Sequence, residues 1–129
     1  MTIGELRTRV VDVAGVELAV LFGSRARGQE HSGSDVDIAL RISSGASRPA
    51  VEDAVTRALP GPVDIVDMDG APPFLRFQIA RDGVPLVERA PGAWTDFKAR
   101  AMIDWWDWAP TERRILAAAV ARVREAAHR

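Results

Sequence analysis

The sequence predicts one domain of mixed α/β or α+β class with a helical C-terminal extension, and three observations carry that reading. Short apolar, β-branched runs alternate with segments whose apolar residues recur every three or four positions. At 129 residues the chain is long enough for one core and too short for two well-buried ones. From Pro91 onward the strand-like runs cease and only helical spacing remains.

In chain order, Ile3, Leu6, Val10 and Val13 fall at helical spacing, and Val16 to Phe22 is a buried-strand run closed by Gly23. After a glycine- and serine-rich stretch, Val36 to Ile42 is a second strand candidate, and "SSGASRP" (Ser43 to Pro49) holds enough breakers to be a connection. Pro49 to Leu59 reads as a helix, "PGPVDIVDM" as a third short strand, Pro72 to Arg81 as a helix ended by Gly83, and Val84 to Val87 as a last strand. In the extension, Trp94, Phe97, Ala101, Trp105 and Trp108 form a helical stripe, which Pro110 is expected to break. A second helix should follow, with Ile115, Leu116, Ala119, Val120 and Val123 on one face. Residues 1–90 and 91–129 are thus read as domain and extension, the latter packed on the former or on a partner.

A formal net charge of -1 provides no global basic field, so non-specific nucleic-acid binding is not expected. The absence of cysteine excludes a disulfide framework, a thiol nucleophile and a cysteine zinc site. The N-terminus lacks the apolar core of a signal peptide and no run approaches the roughly 18 residues of a membrane span, so a soluble, cytoplasmic protein is expected.

The chemistry gathers in "VELAVLFGSRARGQEHSGSDVDIAL", from Val16 to Leu40. Residues two apart in a strand share a face, so Asp35 and Asp37 present two carboxylates side by side while Val36 and Ile38 point into the core. Such a pair repels itself unless a hard cation lies between, and Mg²⁺, which takes carboxylate and phosphate oxygens, fits that need. The plainer alternative is a loop cap of the Ser-Asp kind. The Gly-Ser pair, ten intervening residues upstream, weighs against it. Gly23 permits a sharp turn after the strand, Ser24 offers a hydroxyl, and the turn's amides and Arg25 or Arg27 suit phosphate.

Gly23-Ser24, ten intervening residues, then Asp35-Val36-Asp37 resembles the signature of the DNA polymerase β-like nucleotidyltransferase superfamily. The form "FGSRARGQEHSGSDVDIAL" is most similar to its minimal nucleotidyltransferases, the antitoxin partners of HEPN-domain toxins, and the likeness spans about residues 16 to 88. Arg25, Gly28 and Ser34 also fit. The resemblance implies an α+β fold with a short mixed sheet flanked by helices. It also implies Mg²⁺-dependent transfer of AMP from ATP onto a tyrosine of the paired toxin, in a hetero-oligomer with it.

The resemblance further calls for a third carboxylate on a neighbouring strand. Asp64, inside the apolar run, is preferred to Asp67; their odd spacing keeps them from sharing a face of one regular strand. Asp67 and Asp69 otherwise read as a strand-end turn. On this reading Asp35, Asp37 and Asp64 hold two Mg²⁺ ions, and Asp64 is also the candidate general base. Gly23, Ser24, Arg25, Arg27 and Ser34 hold the triphosphate.

His31 reads as a solvated loop residue and His128 as a terminal one. The tryptophan stripe reads foremost as core, with a partner surface or base stacking as alternatives. Two other functions keep part of this pattern: an antitoxin that acts by occluding its toxin, and a nucleotidyltransferase that modifies an antibiotic. Intact Asp35, Asp37, Gly23 and Ser24 weigh against the first, and the short chain against the second.

Overall fold

The computed structural model describes residues 1–23, 26, 28 and 35–127. Its elements run α1 (Ile3–Val10), β1 (Val16–Phe22), β2 (Val36–Ile42), α2 (Arg48–Ala58), β3 (Val63–Asp67), α3 (Pro73–Asp82), β4 (Val84–Glu88) and α4 (Ala93–Ala127). Both β1 and β2 have the limits the apolar runs predict, because a glycine closes the first and a Ser-Ser-Gly turn follows the second. The hydroxyl of Thr2 accepts from the Glu5 amide at 3.1 Å and starts α1. Ser47 does the same for α2, accepting from Ala50 at 3.4 Å.

The four strands form one mixed sheet in the order β3-β2-β1-β4. Hairpin-like neighbours β1 and β2 are antiparallel, as are β1 and β4, whereas β2 and β3, joined by helix α2, are parallel. Alternation along the strands gives the sheet two apolar faces. On one, Leu6 and Val10 of α1 and Val51 and Val55 of α2 cover Val16, Leu21, Val36, Ile38 and Leu40. On the other, Ile79 and Ala80 of α3 and Trp94, Phe97 and Ala101 of α4 cover Leu18, Val20, Phe22 and Ala39. The fold is the expected α+β sandwich of a mixed sheet between helices.

Helix α3 starts after the C-terminal end of β3 and returns across the sheet, since Val84, two residues beyond it, pairs with Leu21 near the end of β1. A Cβ on Gly83 would lie 2.6 Å from Val20 and 2.9 Å from Trp94, which puts the start of α4 beside the end of α3. At the other end of α3, Phe74 and Phe77 meet Trp105 at ring-centroid distances of 5.2 and 5.5 Å. The two helices are antiparallel, and α4 crosses the sheet and continues past its edge.

One sequence expectation fails here. Pro110 does not end the helix: α4 is continuous over 35 residues. Proline removes one helical hydrogen bond and crowds the carbonyl four residues back, at a cost of about 3 kcal/mol. That carbonyl belongs to Trp106, which is 71% exposed, so water can take up the freed acceptor. The alanine-, arginine- and leucine-rich sequence beyond it favours helix at nearly every position. The tryptophan stripe also divides. Trp94 is buried and Trp105 half-buried, whereas Trp106 and Trp108 lie exposed where the helix has left the sheet.

Away from the strand ends that bear Asp35 and Asp64, Arg41 donates through Nε and Nη2 to both Asp69 oxygens, each at 2.8 Å. That hydrogen-bonded guanidinium holds the Asp69 carboxyl below the usual carboxylate range. A depressed folded-state pKa contributes stability above the unfolded value, and the contribution is lost as pH falls through the folded one. Asp69→Asn should therefore be slightly less stable than the wild type at pH 6. With both side chains partly exposed the difference is at most about 1 kcal/mol. It should vanish in acid melts below the carboxylate range, and a gap that persists there would assign it to something other than the ion pair.

Candidate active site

The acidic site is assembled by strand pairing. Phe22, the last residue of β1, pairs with Asp37, and Asp37 pairs in turn with Asp64 across the parallel β2–β3 ladder. Paired residues on adjacent strands project from the same face, about 4.8 Å apart. Asp37 and Asp64 are therefore neighbours on the face that α3 and α4 cover elsewhere, at the end of the sheet where β2 and β3 begin. Asp35, one residue before β2, is exposed.

Gly23 contributes in a way that its place in the motif does not reveal. It has a positive φ of 77°, open to glycine at little cost. A Cβ added there would run into Oδ2 of Asp37. The missing side chain thus makes the space in which the Asp37 carboxylate lies, besides permitting the turn. Gly23→Ala should cost about 1–2 kcal/mol for the left-handed backbone alone and displace that carboxylate. We expect a lowered thermal midpoint, and a variant that melts as the wild type does would refute this role for the glycine.

Asp67 stands apart. It pairs with Leu40 near the other end of β3, and its Oδ1 lies 3.5 Å from Nη2 of Arg48 in α2. Asp69 is held by Arg41. Neither adjoins Asp37. Ser24, Arg25, Arg27, Ser34, His31 and His128 lie outside the described residues.

Among the described residues no three aspartate, glutamate or histidine side chains converge as a ready metal cluster. What the structure does bring together is a pair of carboxylates from adjacent strands, with Oδ2 of one seated over a glycine. Hard oxygen donors of this kind suit Mg²⁺, which needs only one or two carboxylates when substrate phosphates complete its shell. The residues present fit that ion. No helix of the described residues is long and apolar enough to cross a membrane.

Residues 6–91 match the family model described as polymerase beta, nucleotidyltransferase. No curated protein sequence matches the chain. Among solved structures, the chain is similar to one in a toxin-antitoxin complex with AMP-PNP, with 23% identity, a TM-score of 0.70 and coverage of 94% of this chain and 99% of that one. It is also similar to a chain in a complex of tri-AMPylated Shewanella oneidensis HEPN toxin with MNT antitoxin. The identity there is 20%, the TM-score 0.66 and the coverage 93% and 99%. A third, from the toxin-antitoxin MntA-HepT, has 21% identity, a TM-score of 0.63 and coverage of 92% and 97%. At these identities the likeness is one of fold.

Proposed function

The chain belongs to the polymerase beta nucleotidyltransferase family, and from that premise we propose that it transfers AMP from ATP onto a hydroxyl of a cognate HEPN-type toxin and so neutralises it. The observation that carries the reading is the register that sets Asp64 beside Asp37, with Gly23 making room for the Asp37 carboxylate. Further support comes from the solved complexes of like fold, one of which holds an AMPylated HEPN toxin.

In this reading Asp35, Asp37 and Asp64 would hold Mg²⁺. The bound ion would supply charge neutralisation for the triphosphate and lower the pKa of the acceptor hydroxyl. The chain's own part is placement and proton transfer. Gly23, with its positive φ, and Ser24 are assigned to the triphosphate, and Arg25 or Arg27 to the balance of its negative charge. Asp64, on the outer strand and exposed, accepts the proton as the acceptor oxygen bonds to the α-phosphorus and pyrophosphate departs. The cation, the tyrosine acceptor, the hetero-oligomer and a cytoplasmic setting belong to the same proposal.

Incubating the protein with ATP, Mg²⁺ and the protein encoded beside it, then weighing the latter, tests the proposal. A gain of one or more AMP residues is expected. Neutralisation with unchanged mass would instead select occlusion.

A further inference from the structure

Beyond Trp105, α4 is an arm. Ile115, Leu116, Val120 and Val123 on it are each about half exposed or more, at spacings that line one side of the helix. Alanines 119, 126 and 127 fill the rest of that stripe, which leaves it smooth enough for a second helix to approach closely. At its root, Phe74, Trp105, Ala109, Glu112, Arg113 and Leu116 line an open groove of about 270 Å³.

The charge of the chain is unevenly spread. Residues 1–110 carry 12 basic and 16 acidic side chains, whereas residues 111–129 carry five and two. The near-neutral whole is an acidic body joined to a basic arm. Arg113 and Arg122 border the apolar stripe on its two sides.

We infer that the arm is the docking surface for another protein, and that its occupant is a helix whose apolar face is bordered by carboxylates. Two copies of the arm packed together would set arginine against arginine along the shared stripe, with Glu112 at its root the one acidic side chain on that side to offset them. A second copy's body offers little apolar surface outside the groove at the arm's root: among the described residues its large exposed apolar side chains are Met1, Val11, Phe74 and Ile103, the last two on the helices that form that groove or run into it. An anionic bilayer would attract the arm but repel the acidic body to which one continuous helix joins it. A foreign helix with acidic borders satisfies the stripe and the charge at once. The inference rests on the toxin-partner reading only for the choice of protein to test.

The test uses the full chain, the protein encoded beside it, and calorimetry. Leu116→Glu with Val120→Glu should weaken the complex at least 100-fold, and Arg113→Glu with Arg122→Glu at least tenfold, while helix content by circular dichroism and ATP binding stay at wild-type levels. Rising salt should weaken the wild-type complex. Four results overturn the inference: unchanged affinity in the apolar variant, no wild-type complex at all, a wild-type dimer that the apolar variant dissolves, or binding to phosphatidylglycerol vesicles that the same variant abolishes. A complex that forms through the arm yet carries no AMP would leave the docking surface standing and remove the transfer reading.

Discussion

Asp37→Asn is expected to abolish AMP transfer, by on the order of 10³-fold or more, which corresponds to about 4 kcal/mol of transition-state stabilisation. The substitution keeps shape and volume, so the packing of the side chain over Gly23 and the pairing with Phe22 and Asp64 should persist. What disappears is the negative charge that, in the proposed reaction, would hold a hard cation against the triphosphate. Asp64→Asn should have a comparable effect. Asp67→Asn, at the other end of β3 beside Arg48, should leave transfer intact. The measurement is the rate of label transfer from ATP, read beside a thermal melt. Transfer that survives in Asp37→Asn, or falls as far in Asp67→Asn, would dismantle the site.

Phe97→Ala should cost about 3–5 kcal/mol in urea denaturation, a large share of the roughly 5–15 kcal/mol that holds a small domain together. Phe97 is 1% exposed, its ring is stacked on Trp94 at 5.8 Å, and the Arg76 guanidinium lies 5.7 Å from its centroid. Ile115→Ala, on the exposed arm, should stay within about 0.5 kcal/mol. We therefore read the division near residue 90 as one of function rather than of folding. A chain ending at residue 90 would uncover Leu18, Val20 and Phe22 and fail to fold, whereas one ending at Trp108 should melt cooperatively. A loss below about 1 kcal/mol for Phe97→Ala would show that α4 is dispensable to the core.

How much of the fold and the site was open to reading beforehand depends on the range of the interactions. Strands β1 and β2 were legible because their apolar runs end at local breakers. The separation of Asp64 from Asp67 was also within reach, because alternation is a property of one strand. That Asp64 would stand beside Asp37 was not, since the parallel β2–β3 pairing is a long-range event; only the likeness to a known family pointed to a third carboxylate. The second task of Gly23 was hidden for the same reason, as the atom it makes room for lies fourteen positions along the chain. Pro110 misled because a proline's cost is local and the preference of the seventeen residues after it is collective. The tryptophan stripe gave the face of α4 correctly and could not say where the sheet beneath it stops.

The antiparallel course of α3 and α4 gives the molecule the form of a calliper. One jaw is the acidic pair at the strand ends; the other is the apolar stripe, which begins beyond the opposite end of the sheet. Ten residues of α3 and the eleven that follow Trp105 up to Leu116 put about 30 Å between them. If the proposed partner docks on the stripe, it meets the acidic pair only by spanning that gap. Reach, more than the sequence around the acceptor, would then decide which hydroxyl is modified.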